Sequence, residues 1–175
     1  WQKLYMYHGL ADRPDLVFID NALRGSDVQR PAAEPERTSV NFAPSGFAVM
    51  RSDWTRAARM MAINYGPTGG GHSHADCLSF ELYAHGRAWA IDAGIGYTYD
   101  DPRHHSWYTA SIAHNQLIVD DSNLDRRRAD GRKSALWASL RNVDFFSAQH
   151  AGYQRSHGVL CRRAVVFVRP DYWVI

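Results

Sequence analysis

From residue 46 onward, the pattern changes to short apolar runs and alternating stretches separated by turn residues. Phe47-Ala48-Val49-Met50-Arg51 and Ala58-Arg59-Met60-Met61-Ala62-Ile63-Asn64-Tyr65 read as two strands joined across Ser52-Asp53-Trp54-Thr55. Leu78, Phe80 and Leu82 alternate with Cys77, Ser79, Glu81 and Tyr83, the period-two pattern of a half-buried strand. His85-Gly86 supplies a turn and Ala88-Trp89-Ala90-Ile91-Asp92 a return strand, so a hairpin is predicted here. Further strands are expected over 115–119, 135–143, 145–150, 159–168 and 172–175. Strands at this spacing, with no strong helical period, predict an all-β fold, an antiparallel β-sandwich.

The first part of the chain has a different texture. Residues 16–23 fit a short strand or the end of a helix, and 26–44 are polar with Pro31, Pro35 and Pro44, the pattern of a linker. The expected division is therefore 1–43, a linker and the end of a preceding domain, and 44–175, the sandwich. The chain opens on Trp1 and finishes inside a strand pattern, Tyr172-Trp173-Val174-Ile175, so a piece of a longer protein is expected.

Composition narrows the class. At 175 residues, 45% hydrophobic and 22% charged, the chain has the makings of a globular core. The formal net charge of 20 − 18 = +2 is too small to argue for a nucleic-acid partner. No apolar run approaches membrane-spanning length. Six tryptophans and nine tyrosines suit a sugar cleft or a β-sheet core equally well. Cys77 and Cys161 make no disulfide framework, and Cys77 is expected as a buried thiol.

Chemistry concentrates in Gly71-His72-Ser73-His74-Ala75-Asp76. On a strand, two histidines two apart share a face, with roughly 7 Å between their Cα atoms. Imidazole binds metals and moves protons near neutral pH. Asp92 closes the return strand of the hairpin and approaches His74; His114, just before Asn115 and an apolar run, reaches the same point from a neighbouring strand. Two imidazoles and a carboxylate suit Zn²⁺, with water or another residue in the fourth position. A histidine in a sheet is more often simply hydrogen-bonded, so these residues alone leave the metal open. Arg103-His104-His105, Arg126-Arg127-Arg128 and Arg132-Lys133 are basic loop clusters that could meet an acidic ligand, with Arg103 and His105 as the candidate contacts, although such clusters are more often solvated loops.

The ordered series Gly-His-Ser-His-Ala-Asp-Cys-Leu-Ser-Phe-Glu-Leu (71–82), Ile-Asp-Ala-Gly (91–94) and Ala-His-Asn-Gln-Leu-Ile-Val-Asp (113–120) resembles the heparinase II/III-like family of polysaccharide lyases. Pro44 to Arg51 and Arg162 to Ile175 are similar to two further strands of that family, so the resemblance covers roughly 44–175. It implies a C-terminal β-sandwich packed against an N-terminal (α/α) toroid, here missing, with a cleft between them. It implies β-elimination on a uronic-acid polysaccharide. His72 would face the cleft, and His74, Asp92 and His114 would hold a structural zinc. Tyr99 and Tyr97 are the candidate proton carriers in this chain; the main tyrosine and the carboxylate-neutralising residues would come from the toroid. Asp76 and Asn115 would support the imidazoles. Heparan sulfate, alginate and other uronate polymers all fit as substrates, and the expected location is periplasmic or secreted. The isolated domain is expected to be inactive. The rival readings are a non-catalytic carbohydrate-binding or structural module, and a metal-dependent hydrolase or cupin-like oxygenase.

Overall fold

The computed structural model describes residues 13–24, 33–68, 70–96 and 98–175. Its contacts divide the chain into Trp1–Thr38 and Ser39–Ile175. In the first unit the 16–23 segment resolves as a helix, α1 (Pro14–Arg24). Proline suits a first helical turn, where its missing N–H is not needed, and Asp15 adds a favourable negative charge there.

The second unit is two antiparallel sheets. One runs β1 (Val40–Phe42), β2 (Phe47–Arg51), β3 (Met60–Asn64), β4 (Ser79–Ala84) and β5 (Arg87–Ala90), each strand paired with the next. The other runs β6 (Leu136–Ser139), β7 (Val143–Tyr153), β8 (Val159–Val168) and β9 (Tyr172–Val174) in the same sequential order. Between β7 and β8 sits one helical turn, α2 (Gln154–His157). Alternation decides what faces inward. Ala48 and Met50 of β2 pair with Ile63 and Met61 of β3, and Phe146 of β7 pairs with Val165 of β8; all are buried in one shared core. Tyr65, just past β3, packs its ring 5.0 Å from that of Phe146 across the sandwich.

The hairpin is where the alternation placed it. His85 and Gly86 both take left-handed backbone, φ 54° and 74°, as a two-residue turn between twisted strands requires. The antiparallel sandwich also stands as expected. Three local expectations do not. Val40–Phe42 is a strand inside a stretch that reads as loop, because three residues are too few to display a period. The 115–119 segment is not a strand. The Asn115 side chain donates to the carbonyls of Phe80 (3.0 Å) and Ile91 (3.1 Å), so a side chain replaces the ladder. The 135–143 stretch is broken by a tight turn, Leu140 N–H to Val143 O at 2.8 Å, which starts the long strand β7 early.

The inner face of the second sheet carries an acid-sensitive element. His150 is 3% exposed, its Nδ1 accepts the Gly152 N–H at 3.0 Å, and burial pulls its pKa from 6.5 down to about 4. The unfolded chain therefore takes up a proton near pH 6.5 that the folded chain refuses until about pH 4. Stability contributed by neutral His150 is present above pH 6.5 and lost as pH falls through that window, by about 3 kcal/mol in all. Denaturant titrations between pH 7 and 4 should show this slope, and His150→Gln should flatten it; an equally steep slope in the variant would assign the acid sensitivity elsewhere.

Candidate functional site

The loop that carries the two histidines leaves β3 through a close backbone approach. Gly46 has φ +74°, and a Cβ there would lie 2.1 Å from the Gly66 Cα, so both positions need glycine. The segment then turns rather than extends. Ser79 N–H bonds to Asp76 O at 2.9 Å, and Leu78 takes φ 67° while its N–H reaches Asn64 O at 2.7 Å. His72 and His74 are thus on a loop, not a strand, and the shared-face expectation fails: their rings take different neighbours.

His74 turns toward His114, with ring centroids 5.2 Å apart. Asp92 sits two residues past β5, its Oδ1 accepting the Gly94 N–H at 2.8 Å. Its Oδ2 meets His114 Nδ1 at 2.5 Å. One ligand-type atom from each of His74, Asp92 and His114 lies within 4.8 Å of the others. His114 Nε2 is buried without a hydrogen-bond partner. Burial, then repulsion from His114, lowers the His74 pKa and favours its neutral ring. Burial would raise that of Asp92, but the His114 and Gly94 hydrogen bonds outweigh it and hold the carboxyl below its usual range. Neutral imidazole beside ionised carboxylate is the donor set that a borderline cation such as Zn²⁺ accepts. An orphaned buried imidazole nitrogen in the middle of that set fits the same use.

The neighbours brace these residues. Asp76 accepts from Asn64 Nδ2 at 2.9 Å, and burial raises its pKa. It therefore ties the histidine loop to β3 rather than bonding an imidazole. Asn115 clamps β4 to the segment leading into Asp92. Arg163 of β8 reaches inward to the Leu78 carbonyl and to Asn115 O (2.8 Å), with its guanidinium 4.8 Å over the Phe80 ring. Burial lowers the Arg163 pKa, so this brace puts a cation in a costly place behind the site.

His72 instead meets Tyr99. Its Nδ1 lies 3.5 Å from Tyr99 Oη, with ring centroids 5.8 Å apart. Tyr99 packs edge-on to His104 at 5.1 Å, and His104 to His105 at 4.8 Å. His104 and His105 open a π-helical turn, His104–Tyr108. Together with Arg126 these side chains line a cavity of about 80 Å³. A second, more open cavity of about 300 Å³ lies on the other side of His72 and His74, against Phe47, Asn64 and Asp76. Arg103 instead pairs with Asp101 at 2.8 Å and lies over Tyr108. Tyr97 falls outside the described residues. His104 and Arg126 are cavity residues that the pattern did not single out. A π turn has no sequence period to announce it, and Arg126 is indistinguishable by type from Arg127 and Arg128.

A two-sheet antiparallel sandwich of this kind has counterparts among solved structures. The heparan sulfate lyase from Pedobacter heparinus superposes with a TM-score of 0.81 at 22% identity, covering 98% of this chain and 26% of that one. A structure of Heparinase III gives 0.78 at 23% identity over 98% of this chain. These likenesses identify the fold as the C-terminal β-sandwich of heparinase structures. The chain belongs to the Heparinase II/III-like, C-terminal family, whose model matches residues 34–175. Among its relatives are heparin-sulfate lyases of Bacteroides stercoris, 29% identical over 150 residues, and of Pedobacter heparinus, 27% identical over 144. The matches cover 83% and 81% of this chain but 22% and 21% of those proteins, so it spans about a fifth of their length. Among the described residues, no helix is long and apolar enough to cross a membrane.

Proposed function

We propose that the protein carrying this domain is a polysaccharide lyase that cleaves a uronic-acid-containing glycan by β-elimination, with His72 and Tyr99 forming the sandwich side of its active site. The observation that carries this is the His72–Tyr99 pair, an imidazole nitrogen 3.5 Å from a phenol oxygen, in a cavity beside the His74, Asp92 and His114 set. In the reaction a base removes the C5 proton of the uronate, the C4–O4 bond breaks, and a C4=C5 double bond forms. The departing O4 takes a proton from an acid. A phenol and an imidazole in contact can divide these two proton transfers between them. The C5 proton is acidic enough to remove only when the adjacent carboxylate is neutralised by hydrogen bonds or positive charge.

His74, Asp92 and His114 would hold the zinc ion. Bound there, it would supply a crosslink between the histidine loop, the hairpin end and the turn before Asn115. That crosslink leaves His72 free to exchange protons while fixing the loop that carries it. A helical toroid in the same protein would form the opposite wall and add further sugar contacts. The substrate class read this way is a glycosaminoglycan, met in the periplasm or outside the cell. Incubating the full-length protein with heparan sulfate and with other uronate polymers should generate the ultraviolet absorbance of an unsaturated uronate. Binding of these polymers with no such product would favour a non-catalytic carbohydrate-binding module instead.

A further inference from the structure

The 80 Å³ cavity beside His72 is built without a carboxylate. Four histidines (72, 74, 104 and 105), Tyr99 and Arg126 face it, and no Asp or Glu among the described residues lines it. Arg126 is its fixed charge. One guanidinium nitrogen, Nη1, donates to the carbonyl of Ser73, between the two loop histidines, at 2.7 Å. The backbone of Arg126 is pinned as well, since Thr68 Oγ1 donates to its carbonyl at 2.9 Å. A guanidinium has five N–H donors in a planar fork, so most remain unspent. Nearby arginines are neutralised locally: Arg128 by Asp125 at 3.6 Å, Arg132 by Asp130 at 2.9 Å and Arg103 by Asp101 at 2.8 Å. Arg126 pairs with no carboxylate among the described residues.

His104 completes the lining. It is 8% exposed, and its Nδ1–H donates to the Ile95 carbonyl at 3.2 Å, so its other nitrogen is left for the cavity. A half-enclosed space with one oriented guanidinium and several imidazoles, and no carboxylate in its lining, attracts an anion with paired oxygens.

We infer that this cavity is an anion subsite, which takes a sulfate or carboxylate group of the glycan beside the sugar being cleaved, with Arg126 as the residue that reads the charge. The inference rests on the lyase reading for its location in the reaction, but binding alone can test it. The two anions share the chemistry that a guanidinium fork recognises and differ in which part of the glycan supplies them.

The experiment uses the full-length protein, with His72→Ala as background so that the probes stay intact. Calorimetry would measure an unsulfated oligosaccharide of alternating glucuronate and N-acetylglucosamine, and its N-sulfated counterpart, against Arg126 and against R126Q and R126K. R126Q is expected to weaken the N-sulfated probe at least tenfold and the unsulfated probe less than threefold, with R126K in between, which identifies a sulfate subsite. Equal tenfold losses for both probes support the subsite with the uronate carboxylate as its occupant. In the otherwise native enzyme the same substitution should raise KM and leave kcat within about twofold. Unchanged affinity for both probes overturns the inference, as does a fall in kcat alone, which would reduce Arg126 to a brace for the Ser73 carbonyl. The two readings separate cleanly. Arg126-dependent binding by a protein that yields no unsaturated product keeps the subsite and removes the lyase. Product formation with Arg126-independent binding does the reverse.

Discussion

Replacing His72 with alanine in the full-length protein should lower kcat by about 10²–10⁴-fold, the usual worth of a positioned acid–base group. Metal content and thermal midpoint should stay at the native values. The expectation follows from the way the loop divides its histidines. Both rings border the two cavities, but His72 is in contact with Tyr99, whereas His74 turns to His114 and Asp92. A ring committed to a cation has no lone pair for a proton, so acid–base work falls to the ring that is free. Tyr99→Phe should give a loss of the same order, because its hydroxyl is the only polar atom that the substitution removes. The two effects should not add in the double variant if the pair acts as one unit. Full activity in His72→Ala would remove this residue from the mechanism, and the proposed assignment of the cleft with it.

Much of the sandwich was legible because its signals are local. Period-two alternation located β4, short apolar runs between turn residues located β2, β3 and β8, and His85-Gly86 fixed the hairpin, since a two-residue turn with both residues at positive φ has few sequence solutions. What failed was pairing that alternation cannot report. The run after Asn115 packs Val119 against the core but forms no ladder: Phe80 N–H reaches Asn115 O at 3.3 Å, and the Asn115 side chain bonds the Phe80 and Ile91 carbonyls. The histidine loop departs from its strand-like pattern for a related reason. Its pattern continues smoothly into β4, and nothing in the residue types reveals that Leu78 takes left-handed backbone and turns the chain.

The candidate site was legible in a different way. Asp92 near His74 followed from hairpin geometry, and His114 from the order of motifs; the three do converge. The division of labour between His72 and His74 came from family resemblance alone, since spacing treats them alike. Of the cavity floor, only the basic clusters that contain His104 and Arg126 show in the sequence. His104 enters through a π-helical turn, and Arg126 is singled out among three consecutive arginines only by its bond to the Ser73 carbonyl.

Stripping the metal from the full-length protein with a chelator should lower the thermal midpoint of this domain by about 5–10 °C, and adding back Zn²⁺ should restore it. A cation at a hundred times its Kd stabilises the folded state by about 2.7 kcal/mol, and a domain of this size shifts by roughly 2–4 °C per kcal/mol. His74→Ala should produce the same loss and be deaf to added zinc, because it removes one ligand while leaving the Asp92–His114 hydrogen bond in place. Asp92→Ala should be worse. It removes a ligand and also the carboxylate that faces His114 Nδ1, on a ring whose Nε2 is already buried and unpaired. An imidazole left that way costs a further 1–3 kcal/mol or so. The ordering Asp92→Ala below His74→Ala below native is therefore the signature of a cation held by these three residues. Absence of stoichiometric metal in the native protein, together with an unchanged midpoint in His74→Ala, would leave Asp92 and His114 as an ordinary buried hydrogen-bonded pair. The lyase reading would survive that result, since His72 and Tyr99 touch each other without the metal. The rigidity of the loop beneath them would then rest on the Asn64–Asp76 bond and the Arg163 brace.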